Sequence, residues 1–485
     1  MSSADVPLEY VESKAPVPDP EHPSQRLHRG VLGLVDIATA TMANIGPAMS
    51  FYFGFSLIAT TAGVASPLTI IAAGIAIALL GNTLAEFSKA HPSTGSLITF
   101  VGKSFGANSA ITAALVAGIG YIIAMASVVA ISGGFTTIVV QRYLHTHVPW
   151  PIFTLLFVAG TLFLMVRGVH LSTRWAGLFF AFEMLMLLIV SVAVLIDHAG
   201  HLTLAPFSPA NLSSGWKGLG LGFPLAVYLF IGWENSAALA EETDNPRRNV
   251  PRAVFASIVL MAASYLLFSY VTVEGFDQNV DALAKAEIPF ISVADNTLQA
   301  FAFFAYLAGL TSTLGVLIAG VNAQARMVFN AGREGLLPAV IGRVHPTRRT
   351  PVVALCVFLG FSLLLVFAWG GRTDPLEFFA QSSTLGTILV LVVYLVANLG
   401  LPVYYRRYRP AEFSAVRHAV LPLLGVAAIA FPLYELVKPG QPAPYNRFPL
   451  ICAAIIVLAL VYGAVLARRR PGLADRVGSI VADSD

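Results

Sequence analysis

FIGWENSAALAEETDNPRRNVPRA, residues 230–253, interrupts an apolar run at the depth where a bilayer would place hydrocarbon. Residues 219–231 carry no charge, and Gly232 is followed two positions later by the carboxylate of Glu234. Glycine loosens a helix, and an ionisable group in mid-membrane costs solvation energy. Both are tolerated where the chain lines a cavity or buries against protein. The stretch therefore reads as part of a binding site inside a membrane rather than as a plain anchor.

Composition leads to the same class. The 485 residues are 56% hydrophobic and 11% charged, with a mean hydropathy of +0.76. Soluble domains carry roughly 25% charged residues, so an aqueous globular fold is excluded. Cys356 and Cys452 both lie in apolar runs and imply no disulfide framework. The first 25 residues, MSSADVPLEYVESKAPVPDPEHPSQ, are polar and proline-rich, without the basic-then-apolar pattern of a cleaved signal. Residues 1–30 are expected to form a disordered cytoplasmic tail.

Runs of about 20 apolar residues, enough to cross a bilayer, recur along the chain. They fall near 34–60, 67–88, 107–141, 150–167, 172–196 and 218–242. Six more lie near 251–275, 293–331, 351–369, 376–402, 418–436 and 447–467. Twelve spans put both termini on one side, and charge says which. Of the 29 Lys and Arg, only Arg142, Lys217, Lys285, Arg372, Lys438 and Arg447 fall on the outer segments when the N-terminus is inside. That asymmetry follows the positive-inside rule. It places both termini in the cytoplasm and accounts for the net charge of +3 without any nucleic-acid partner.

Span one carries a break of its own in the stretch Ala43, Asn44, Ile45, Gly46, Pro47 and Ala48. Proline removes a backbone donor, and glycine relaxes the chain beside it. The half-helix after the break should present free amides, a natural seat for a substrate carboxylate. Five spans separate this break from the one at 230–234. Paired interruptions at matching places in two halves point to inverted repeats and a transport site at the midplane.

Four stretches make the chain resemble the amino acid–polyamine–organocation transporter superfamily. They are Asn44-Ile45-Gly46-Pro47, EFSKAHPSTGSLITF at 86–100, the 230–253 segment, and RMVFNAGREGLLPAVIGRVHPTRRTP at 326–351. The resemblance implies an all-α integral membrane protein of the leucine-transporter-like fold. That fold is a 5+5 inverted repeat with two discontinuous helices plus two extra helices, about twelve in all. The transport core would cover 31–402, with repeats at 31–196 and 218–402. Two peripheral helices would occupy 403–468, and 469–485 would be a cytoplasmic tail.

The resemblance also implies where a substrate sits. Its α-carboxylate and α-amino group would meet the unwound segments Ala43 to Ala48 and Phe230, Ile231, Gly232 and Trp233, with Tyr228, Phe230 and Trp233 as outer gating aromatics. Glu234 would either carry a coupling proton or hold the geometry of the break. Glu183 stands where sodium-independent relatives often have a lysine; a carboxylate cannot replace a cation there, and could instead carry a proton or pair with a base elsewhere. Ser312 and Thr313 are the candidate hydroxyls for a sodium ion, although such groups commonly bond back to their own helix. Glu86, Glu241, Glu242 and Arg326 lie at a depth suited to inner-gate ion pairs or ordinary interfacial charges.

These readings lead to a secondary active transporter of the cell membrane, moving an amino acid or related amine by alternating access with proton-coupled uptake. It would need no cofactor. The runner-up is a putrescine-like polyamine importer, and a more remote alternative is a transporter-like nutrient sensor. The chain has no HExxH or GxSxG motif, so a membrane enzyme is not expected.

Overall fold

The computed structural model describes residues 27, 29–470 and 472–473. The tail readings for 1–26 and 474–485 lie outside these residues. Among the described residues, nine helical stretches are long and apolar enough to cross a membrane. The first of them, Leu34–Ala90, turns back at Gly63–Ala65 and crosses twice. The short apolar helix Val352–Ala368 and the broken helix formed by Trp216–Tyr228 and Asn235–Ala238 complete twelve passes.

Span one consists of Leu34–Ile45 and Pro47–Ala62. Spans two to five are Ser66–Ala90, Ala107–Leu144, Trp150–Arg167 and Val169–Asp197. Span six is the second broken helix. Spans seven to ten are Pro246–Gly275, Phe303–Arg333, Val352–Ala368 and Pro375–Tyr408. Leu421–Val437 and Phe448–Arg469 make spans eleven and twelve. A three-residue extended segment, Ser213–Gly215, precedes span six.

The eighth run differs from its sequence expectation. The apolar stretch at 293–331 is a loop helix, Pro289–Leu298, a turn at Gln299–Ala302, and then span eight. Phe290, Ile291, Val293 and Ala294 are apolar because they bury against protein, which hydropathy cannot tell from burial in lipid. Another loop helix, Ser96–Phe105, follows span two just as Pro289–Leu298 follows span seven. That correspondence agrees with a five-span repeat.

Both described ends lie on one face. Leu27 packs with Phe329 and Ala354, and an Arg470 guanidinium N–H donates to the Gly335 carbonyl at 3.4 Å. We call this the terminal face. Small residues let the inner spans approach closely. A Cβ on Gly386 of span ten would stand 2.7 Å from the Gly120 carbonyl of span three. The two broken helices lie in this packed interior, with Ile37, Ala43, Ile45, Phe230 and Trp233 all buried.

Candidate substrate site at the two helix breaks

Gly46 and Gly232 permit the two breaks. Gly46 has φ +62°, ends the first half of span one, and passes to Pro47 at the first position of the second half. A side chain at Gly46 would collide with Val316. Gly232 has φ +108°, and a Cβ there would come 2.7 Å from Asn44 Nδ2. The closeness is used: the Asn44 amide donates to the Gly232 carbonyl at 3.3 Å. Asn235 donates to the Ala40 carbonyl at 2.9 Å, and the hydroxyls of Thr41 and Ser236 lie 2.7 Å apart. The two breaks are thus stitched side by side.

A cavity of about 40 Å³ lies between them, room for about three waters at the ~10–15 Å³ each needs. Asn44, Ile45, Met49 and Ser50 of span one line it, together with Tyr228, Ile231 and Gly232 of span six. Span three adds Ala124, Met125 and Val128, and span eight adds Val316 and Gln324. Ala43, Gly46, Pro47 and Ala48 form the backbone of the break without lining this space.

The expectation of open amides is corrected by the hydrogen bonds. The Ala48 amide donates to Glu183 Oε2 at 3.2 Å, and the Met49 amide donates to Ser312 Oγ at 3.0 Å. Gly46 donates to the Met42 carbonyl at 3.1 Å and Ser50 to the Gly46 carbonyl at 2.8 Å. Pro47 has no N–H. In span six, Phe230, Ile231 and Trp233 donate to carbonyls of their own turn, and Gly232 donates to Glu234 Oε2 at 3.2 Å. Helix termini need partners for their unpaired groups, and here side chains of the protein supply them.

Glu183 caps the second half of span one and is fully buried, with Oε1 lacking a partner. Glu234 folds back over its own break and also accepts the Tyr121 hydroxyl at 2.7 Å. Thr313 donates to the Leu310 carbonyl of its own helix at 2.8 Å. The candidate sodium hydroxyls are therefore both engaged by protein, Ser312 with span one and Thr313 with itself.

Of the three aromatics expected at the outer gate, Tyr228 alone lines the cavity. Tyr228, Ile231 and Gly232 face the cavity, whereas Phe230 and Trp233 do not line it. Phe230 packs edge-on to Tyr265 with centroids 5.3 Å apart, and Trp233 packs on Tyr394 at 5.6 Å. Tyr228 also lines a second cavity of about 420 Å³ that opens away from the terminal face. Phe379 meets Tyr228 at 6.0 Å and Phe53 at 5.5 Å, and all three rings line this larger cavity.

Two buried ion pairs lie toward the terminal face. Arg326, 2% exposed, grips Glu242 with both arms, Nε to Oε2 at 2.6 Å and a terminal N–H to Oε1 at 3.1 Å. It also donates to the carbonyl and side chain of Asn322. Glu241 pairs with Arg333 at 2.8 Å and accepts the Leu27 amide at 3.2 Å. Glu86 stands apart from this group: Lys89 Nζ lies 2.6 Å and His418 Nε2 2.9 Å from its carboxylate. The four expected gate charges therefore split between two places.

Sequence reasoning missed Tyr121, Gln324, Arg333 and Phe379. Gln324 lies two positions before Arg326, just outside the stretch 326–351 already singled out, so its proximity could have flagged it. Tyr121 and Phe379 lie in apolar runs with nothing local to distinguish them.

A twelve-pass membrane protein whose two broken helices meet around a small cavity has the architecture of a carrier. Residues 32–462 match the amino acid permease family model, and the chain belongs to that family. It is 26% identical to the branched-chain amino acid permease BcaP of Bacillus subtilis (strain 168), over 79% of this chain and 82% of that one. It is 25% identical to the Asc-type amino acid transporter 1 of Homo sapiens, over 88% of this chain and 80% of the relative. A methylthioribose transporter of Bacillus subtilis (strain 168) is 26% identical over 60% of this chain and 65% of its own length.

Proposed function

We propose that this chain is a secondary active transporter that takes up an amino acid or related amine across the cell membrane by alternating access. The terminal face is cytoplasmic in this reading, as the distribution of Lys and Arg indicates. The observation that carries it is the asymmetry around Tyr228. On one side lies a vestibule of about 420 Å³ and on the other a cavity of about 40 Å³, backed by the buried Glu242–Arg326 pair. Substrate enters past Tyr228, Phe53 and Phe379, and leaves when the inner pairs part.

Coupling to protons is assigned to Glu234 and Glu183. Each is buried and each holds a backbone amide of one break. A change of charge on either carboxylate would alter how that break is held, which gives a proton a mechanical handle on the site. The arrangement equally serves to fix geometry, and Glu234 does so directly through Gly232.

The test is uptake by purified protein in proteoliposomes, across a panel of amino acids and amines, under imposed proton or sodium gradients. Uptake driven by the proton gradient supports the proposal. Dependence on sodium alone would move the coupling to the Ser312 region, and binding without flux would revive the sensor reading. Inhibition by putrescine but by no neutral amino acid would favour the polyamine importer.

A further inference from the structure

A cavity of about 190 Å³ lies where spans three, eight and nine meet, and neither helix break lines it. Ala114, Ala117 and Gly118 of span three, Met327 and Val328 of span eight and Phe358 of span nine form its walls. Of the residues lining it, only Tyr121 and Gln324 are polar. An apolar cavity of about 150 Å³ stays dry and binds benzene. The space therefore suits hydrocarbon, and a charged solute there would lose its hydration without gaining partners. A Cβ on Gly118 would meet no atom within 4 Å, so this glycine leaves open what a larger residue would fill.

Its extent matches one leaflet of a bilayer. Phe361, which lines it, is 54% exposed and stands near the middle of span nine, a helix of 17 residues. At that depth exposure means contact with hydrocarbon. Toward the terminal face the wall is completed by Leu337 and Ile341 of the loop after span eight, and by Ile98 of the loop helix Ser96–Phe105. Along span three the lined stretch from Ala114 to Ile122 rises about 12 Å, close to the ~15 Å of one leaflet's hydrocarbon. Both terminal-face segments carry cations: Arg343, exposed and two positions after Ile341, and Lys103 on the helix of Ile98. A hydrocarbon slot running inward from a cationic rim has the complementary chemistry of an anionic phospholipid.

We propose that this cavity holds one acyl chain of an anionic phospholipid whose phosphate faces Arg343 and Lys103, and that its occupancy slows opening of the inner face. The site itself goes beyond the transport reading; its effect on uptake rests on that reading. Two residues carry the coupling. Gln324 lines both this cavity and the one between the breaks. Tyr121 lines this cavity and donates its hydroxyl to Glu234 at 2.7 Å. A chain packed behind them keeps the Tyr121 hydroxyl on Glu234 and backs span eight at Met327 and Val328. A ligand that favours one conformer shifts the population toward it, and the favoured conformer here is the one in which Tyr121 holds Glu234.

The experiment reconstitutes the full chain in phosphatidylcholine vesicles containing a minority of phosphatidylglycerol with a diazirine in its acyl chain. After illumination, mass spectrometry maps the adducts. They should concentrate on residues 114–122, 327–331 and 357–361. Gly118→Leu should lower them at least about tenfold by filling the slot, while adducts on the exposed face of span twelve stay unchanged. Adducts spread evenly over all lipid-facing residues would overturn the site, and the wild-type map decides this even if Gly118→Leu fails to fold. Equal labelling of the cavity by diazirine phosphatidylcholine would overturn the anionic headgroup. Uptake is read in the same vesicles without illumination. Phosphatidylglycerol should slow the wild type at least about threefold relative to phosphatidylcholine alone, and Gly118→Leu should be slow in both. Labelling in the cavity with uptake indifferent to lipid and to Gly118→Leu would overturn the control of the inner face. Absence of uptake under every condition is a failure of the transport reading, and the adduct map still decides the lipid site.

Discussion

Glu183 Oε2 accepts the backbone amide of Ala48 at 3.2 Å, so a carboxylate from span five caps a half-helix of span one. The bond joins residues 135 positions apart and ties the first break to a helix outside it. Removing that carboxylate leaves a buried N–H unsatisfied, which costs about 1–3 kcal/mol. Glu183→Leu should therefore lower the unfolding temperature of the detergent-solubilised protein. An unchanged melting temperature would mean that the amide finds water or another partner.

Arg326 and Glu242 form a buried pair in which each group depends on the other. Truncating one partner of such a pair typically costs 3–5 kcal/mol. Arg326→Ala is expected to destabilise the chain by that order and to expose the inner cavity. A cysteine at Gln324 would report the exposure through faster labelling by a membrane-impermeant thiol reagent applied to the terminal face. Reversing both charges, Arg326→Glu with Glu242→Arg, should recover part of the stability that either single reversal loses.

Gly232 is held at φ +108° against Asn44. Gly232→Ala adds strain in a region L-residues rarely adopt and sets a methyl carbon 2.7 Å from Asn44 Nδ2. Uptake should fall by at least tenfold while the protein still inserts and purifies as a folded species. Full activity of this variant would show that the break is not needed in the form described.

Tyr121 and Glu234 provide a test of coupling. Tyr121→Phe removes the hydroxyl that donates to Glu234 and leaves the ring in place; a hydrogen bond to a charged group is worth about 1.5–3 kcal/mol. The pH for half-maximal uptake should shift in this variant if Glu234 carries the coupled proton. Glu234→Gln should reduce gradient-driven uptake more than it reduces substrate binding. Should Glu234→Gln keep the full pH response, Glu234 holds geometry and the proton assignment passes to Glu183.

The spans and both breaks were legible because their causes are local. Hydrophobic run length sets the first, and Gly46, Pro47 and Gly232 set the second. The partners of the site were not legible, because they arise where distant helices come together. Arg333 meets Glu241 across 92 positions, and Tyr121 meets Glu234 across 113. His418 reaches Glu86 across 332 positions, which draws Glu86 toward the peripheral helix instead of Arg326. The orientation of Phe230 and Trp233 was hidden for another reason: an aromatic beside a break faces inward or outward according to the turn the backbone takes there. The loop helix before span eight misled for a related reason, since its apolar residues face protein.

Leu32 donates its amide to the Glu242 carbonyl at 2.9 Å and accepts the Asp244 amide at 2.9 Å. The segment leading into span one is thereby paired with the segment leaving span six, like two door leaves on one hinge pin. Neither terminal-face half-helix can swing alone without breaking these bonds. The inner face should accordingly open in a single kinetic step. Spectroscopic labels placed separately on Ala38 and Ala238, each measured against span ten, should relax with one shared rate constant. Anything that grips the chain ahead of Leu34 would then set the pace of release from outside the membrane.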